Sequence, residues 1–84
     1  MTMRLMRRAW KQRAGNGHRK FVLVCLAFAA SGKGNLYYNR LDEIAQVTGM
    51  SERTVKRHVE ALASEGLLEV SQTSVPRTIH LTFA

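Results

Sequence analysis

Two short amphipathic stretches separated only by Gly49-Met50-Ser51 constrain this chain more than any other feature. Upstream, Leu41, Ile44, Ala45 and Thr48 recur at the i, i+3, i+4, i+7 spacing of one helix face. Asn39 is placed to cap that helix, and Asp42 and Glu43 fall in its first turn, where the helix dipole favours acids. Downstream, Ser51 is a good N-cap, and Val55, Val59 and Leu62 form a second apolar stripe that ends before Gly66. Gly49 supplies the positive φ that a sharp reversal needs. Ala45 has the small side chain that lets a following helix cross close over it. The pattern predicts two helices joined through a tight turn, each burying one face.

The flanks complete a domain around that pair. Residues 18–30 are apolar nearly all round: Phe21, Val24, Cys25 and Phe28 share one face, while Leu23, Leu26 and Ala30 lie opposite. A helix with two apolar faces needs two partners, one being the rest of the domain. The other is the N-terminal segment, with Trp10 as cover, or a second subunit. Residues 3–13 read as a basic helix with Met3, Met6 and Trp10 on one side; Gly15-Asn16-Gly17 breaks it, and Asn16 suits the next N-cap. Ser31-Gly-Lys-Gly-Asn35 is a loop lacking the spacing of a phosphate-binding P-loop, and Leu36-Tyr37-Tyr38 is a short β-prone piece. After Gly66, Leu68 and Val70 alternate with Glu69 and Ser71, and Ile79, Leu81 and Phe83 alternate with His80 and Thr82. These are two strands of a hairpin whose loop, 72–77, carries the only proline, Pro76, beside Arg77.

Charge and composition narrow the function. The 84 residues suffice for one small core. Lys and Arg outnumber Asp and Glu by 13 to 6, giving a formal charge of +7. The whole surplus lies in the first 20 residues, where Arg4, Arg7, Arg8, Lys11, Arg13, Arg19 and Lys20 stand with no acid. Such a block attracts a polyanion, nucleic acid or an acidic membrane surface; a solubilising terminus has the same composition. A basic stretch followed by the apolar 21–30 imitates a secretory signal. However, cleavage near Ala29 would remove the most apolar segment available for a core, and ten residues fall well short of the ~20 a membrane helix needs. The single Cys25 excludes an intramolecular disulfide framework and, sitting mid-helix in an apolar run, reads as packing. His18, His58 and His80 fall on three different elements without partners at ligand spacing, so no metal site, cofactor or catalytic set is expected. RNA binding lacks a stacking platform, because Tyr37 and Tyr38 are adjacent.

A two-helix turn unit followed directly by a hairpin is a winged helix, and the residues carry a resemblance. The stretch Leu41-Asp-Glu-Ile-Ala-Gln-Val-Thr-Gly-Met-Ser-Glu-Arg-Thr-Val-Lys-Arg-His-Val-Glu60 resembles the helix-turn-helix signature of bacterial DNA-binding proteins. Ile44, Ala45, Gly49, Met50, Val55 and Val59 stand at the family's spacings; His58 departs from it, where many such motifs are apolar. Val59-Glu-Ala-Leu-Ala-Ser-Glu-Gly-Leu-Leu68 resembles the end of a recognition helix and the entry to the wing in winged-helix regulators. Residues 21–68 are also similar to winged-helix domains of phage and plasmid replication proteins. The expected fold is thus mainly α with a small hairpin: a three-helix core plus a two-stranded wing over 18–84, preceded by a basic arm or helix over 1–17.

With Val55 at 0° and facing inward, Lys56 falls at about 100°, Glu60 at about 140°, Arg53 at about 160° and Arg57 at about 200°. That outward face is the one a recognition helix lays in the major groove. Arg53 and Arg57 are the expected base readers. Ser51 and Thr54 suit a phosphate oxygen, Lys56 the backbone, and Glu52 either a cytosine N4 donor or the helix dipole. Arg77 on the wing, with Lys33, Asn39 and Arg40, is expected at flanking phosphates or in the minor groove. Arg4, Arg7, Arg8, Lys11 and Arg13 are expected to grip the backbone or minor groove beside them. The expected function is sequence-specific binding of double-stranded DNA by a non-enzymatic transcription regulator, cytoplasmic and nucleoid-associated, dimeric through the apolar helix and N-terminal segment. No membrane and no small-molecule ligand is expected. An origin-binding domain of a replication initiator and a winged-helix protein-interaction module are the alternatives.

Overall fold

The computed structural model describes residues 3–13, 17–73 and 75–84, apart from the side chain of Met3; Asn16, the expected cap of the apolar helix, lies outside them. Helices α1 (Met3–Lys11), α2 (Gly17–Ala29), α3 (Leu41–Thr48) and α4 (Glu52–Ser64) are joined to strands β1 (Asn35–Tyr37), β2 (Leu68–Val70) and β3 (Thr78–Leu81). α2 packs against α1, α3 and α4, and α3 packs on α4.

The turn between α3 and α4 forms as its residues dictate. Gly49 takes φ 74°, and its N–H donates to the Ala45 carbonyl at 3.0 Å. Ser51 caps α4, accepting from the Thr54 N–H at 3.1 Å. The other end of α4 closes in a Schellman motif: Gly66, at φ 80°, donates to the Ala63 carbonyl and Leu67 to the Leu62 carbonyl, both at 3.0 Å. That double bond turns the chain directly into β2. Val55, Val59 and Leu62 are buried, and Leu41, Ile44 and Ala45 meet them from α3.

Asn39 does not cap α3. Residues Tyr38–Arg40 form a single 3-10 turn that runs straight into the helix. The residue at the cap position, Arg40, is therefore already helical (φ −76°, ψ −1°) and makes no side-chain cap bond. The expected two-stranded wing also gains a third strand. The order is β1-β3-β2, all antiparallel, with Leu36 opposite Ile79, and Leu68 opposite Leu81. Alternation holds: Leu36, Leu68, Ile79 and Leu81 face the core, while Glu69 and His80 face out.

The N-terminal segment forms a helix and enters the core, but not by the expected side. Leu5 and Ala9, one turn apart, are buried on α1, whereas Trp10 is 68% exposed, with the Lys20 ammonium 5.9 Å from its ring centroid. Ala9 is small enough to let two helices approach closely, which a tryptophan at the contact would prevent. α2 correspondingly buries Val22, Leu23, Leu26 and Ala27 but leaves Phe21 46% and Phe28 56% exposed. Trp10 therefore does not cover the second apolar face of α2. That face continues across Met6 and Ile44 to Val47, itself 70% exposed. No helix among the described residues is long and apolar enough to cross a membrane.

Candidate nucleic-acid interface

With Val55, Val59 and Leu62 inward, the opposite side of α4 presents Glu52, Arg53, Lys56, Arg57 and Glu60 on one open face. Arg53 and Arg57 are exposed, one turn apart, and neither makes an ion pair among the described residues. Free guanidinium forks on a helix capped at both ends form an unsatisfied donor array on a fixed support. Ser51 and Thr54 are occupied with each other: the Ser51 hydroxyl donates to Thr54 Oγ1 at 2.9 Å while accepting from its N–H. This exchange holds the first turn in shape. Lys56 leans on Glu52 at 3.6 Å, an exposed i, i+4 pair of small energetic weight.

Beside this face lies an open notch lined by Tyr38, Asn39, Asp42, Glu52, Lys56 and Arg77. Tyr38 is at its centre, a residue that motif and helix-wheel arguments leave unassigned. Its N–H donates to the Arg77 carbonyl at 2.9 Å, its ring lies 4.3 Å from the Arg77 guanidinium carbon, and the Lys56 ammonium stands 5.8 Å from the same centroid. The 3-10 turn therefore ties the start of β3 to α4. In sequence, the only signal is an aromatic next to the helix-turn-helix; nothing there pairs it with a residue 39 positions away.

Other expected contacts lie elsewhere. Arg40 is paired with Glu43 (Nη2 to Oε2, 2.9 Å) and turned towards the end of α2. Lys33 is exposed in the α2–β1 loop, whose Gly34 carbonyl accepts from Leu81 at 2.8 Å. Arg77 leads into the opposite end of β3, so Lys33 and Arg77 lie at opposite ends of the sheet, roughly 16 Å apart along the strand. On α1, Arg4, Arg7 and Lys11 are exposed along one side and Arg13 follows them. Arg8 donates to the Phe83 carbonyl at 3.1 Å, and Arg4 and Arg8 adjoin Gly32 and Ala84. These cations thus gather at the Lys33 end of the sheet, away from the notch.

Among the described residues no three His, Cys, Asp or Glu side chains converge as metal ligands. His80 Nδ1 is 2.8 Å from Asn35 Oδ1 across the β1–β3 pair. Burial pushes the Cys25 thiol pKa up, which keeps it protonated and suits a packing role.

Residues 40–69, which span α3, the turn, α4 and the start of β2, match the family model described as winged helix-turn-helix DNA-binding. That match and the order of helices and strands agree on a winged helix-turn-helix fold of the DNA-binding type. No curated protein and no solved structure matches the chain significantly. In this winged helix, α3 and α4 are the two helices of the motif, and the β2–β3 connection is the wing.

Proposed function

We propose that this winged helix binds duplex DNA sequence-specifically and without enzymatic activity, as a transcription regulator acting on nucleoid DNA in the cytoplasm. The observation that carries this reading is the pair of exposed, unpaired arginines, Arg53 and Arg57, on a helix fixed by the Ser51 cap and the Gly66 closure. Arg53 and Arg57 read guanine edges in the major groove, Glu52 flanks them, and Lys56, Thr54, Asn39 and Arg77 meet the backbone. Arg4, Arg7, Arg8, Lys11 and Arg13, with Lys33 and Arg40, add sequence-independent attraction to flanking phosphates.

The regulator works as a homodimer. The uncovered face of α2, with Phe21 and Phe28 beside Val47 of α3, supports this, because apolar side chains of that size are seldom left to water as a group.

Selection of random duplexes by the purified protein at about 150 mM salt tests both claims, since screening then trims non-specific attraction. An enriched inverted repeat is the expected result. A direct repeat or a single asymmetric site would replace the regulator with a replication initiator. No enriched sequence would refute base reading and leave a protein-interaction module.

A further inference from the structure

From the notch between α4 and the wing we infer a built phosphate clamp: Lys56 and Arg77 grip the backbone of the bound DNA strand, and Tyr38 is the positioning residue that aims both. The inference rests on the DNA-binding reading and adds a site and a residue to it.

Three observations converge on Tyr38. Its ring carries the Arg77 guanidinium 4.3 Å from the centroid, close enough for the guanidinium plane to lie against the aromatic face. The Lys56 ammonium stands 5.8 Å from the same centroid. The Tyr38 N–H holds the Arg77 carbonyl at 2.9 Å, so the backbone that presents the arginine is fixed to the residue that carries its side chain. A wing loop and a helix are otherwise independent supports. A long flexible cation on each would lose rotamer freedom on every encounter with DNA. Held against one ring, the two cations lose that freedom on folding instead, and their charges point into a single notch.

The charge pattern fits a phosphodiester. The notch offers two cations to a ligand, and Lys56 meanwhile rests on Glu52 at 3.6 Å, a loose contact that a phosphate oxygen replaces. Asp42 and Glu52 also line the notch and balance its two cations, so a phosphate is held there by two positioned donors and not by net charge. The ring does not stack a base, because its cationic neighbours already occupy it.

The test is fluorescence anisotropy of a random-sequence duplex against salt concentration, with thermal melts confirming that each variant folds. Lys56→Ala with Arg77→Ala should weaken binding about tenfold or more at moderate salt. The same pair should lower the slope of log affinity on log salt by about 0.9 for each phosphate no longer neutralised. Tyr38→Leu, which leaves every charge in place, should lower the slope in the same direction and weaken binding by about two- to fivefold. Tyr38→Phe keeps the ring and should behave as the unaltered protein. In the Lys56→Ala/Arg77→Ala background, Tyr38→Leu should have no further effect.

An equal effect of Tyr38→Leu in both backgrounds would overturn the clamp, as would an unchanged slope in the Lys56→Ala/Arg77→Ala variant, which needs no change at Tyr38. Either result leaves DNA binding itself standing. Failure of the unaltered protein to bind any duplex would instead refute the underlying reading, and the clamp with it.

Discussion

The outer faces of α4 and α1 are both lined with arginine, yet they stand on very different supports. α4 has 13 residues, three of its apolar side chains are buried, a serine caps one end, and a Schellman turn closes the other. α1 has nine residues, no acid in its first turn and, among the described side chains, two buried beneath it, Leu5 and Ala9. Base edges are discriminated only by donors held in one place, whereas phosphate attraction needs charge and little else. The surplus of positive charge on this chain is therefore a poor guide to where its information lies. α4 and its neighbours carry acids alongside their cations and are the more precisely supported; α1 carries the larger net charge on the lighter frame.

Exchanging charge for alanine on each face separates the two roles and produces the largest expected effects. Arg53→Ala with Arg57→Ala should cost about 1–3 kcal/mol of discrimination per arginine between the selected duplex and a random one. Arg4→Ala, Arg7→Ala and Lys11→Ala together should weaken both duplexes alike, lowering the salt slope by about 0.9 for each phosphate left without its cation. Competition binding at two salt concentrations distinguishes these outcomes. Loss of discrimination in the α1 variant would break the contrast, because it would make α1 a reader.

The same contrast explains what is and is not legible in the sequence. The helix-turn-helix is legible because each of its determinants is local: Gly49 must reverse the chain, Ser51 must cap, and Val55, Val59 and Leu62 must share a face. The outward arginines follow from that face alone. Asn39 fails as a cap because the 3-10 turn before the helix is set by pairing of β1 with β3, a contact between residues more than 40 positions apart. Tyr37 and Tyr38 look equivalent as neighbours in sequence, but the end of β1 turns Tyr37 out to solvent while Tyr38 meets Arg77 and Lys56. On α1, periodicity offers two candidate faces. Hydrophobicity favours the one with Trp10, whereas close helix packing selects the one with Ala9. Local chemistry is written in order along the chain; long-range contacts are not.

A smaller effect sharpens the claim that α4 owes its precision to its ends. Ser51→Ala removes the side-chain acceptor of the Thr54 N–H and should cost about 1 kcal/mol, measured by urea unfolding. It should also reduce discrimination more than it reduces random-duplex affinity, since the first turn carries Arg53. A loss of stability with discrimination intact would mean that the cap serves folding only.

The smallest expected effect is a response to acid, and it too divides the two faces. His58 sits half-buried on the flank of α4, with Nδ1 buried and lacking a partner among the described residues. Burial first, then the charges of Arg19, His18 and Arg57, lower its pKa below the ordinary value of about 6.5. In the folded protein the ring therefore stays neutral at a pH where the unfolded chain has already bound a proton. The resulting stability is present above about pH 6.5 and is lost as the pH falls through the lowered folded value. Melting temperature should drop by roughly a few degrees between pH 7.5 and 5.5, and His58→Leu should remove that part of the drop. Helix α1 contains no His, Asp or Glu, so its charge is constant over the same range. An acid response that survives His58→Leu undiminished would place its origin elsewhere. One that disappears would show that the flank of α4 against α2, where Arg19 meets Glu65 at 3.0 Å, is the part of this helix that senses protons.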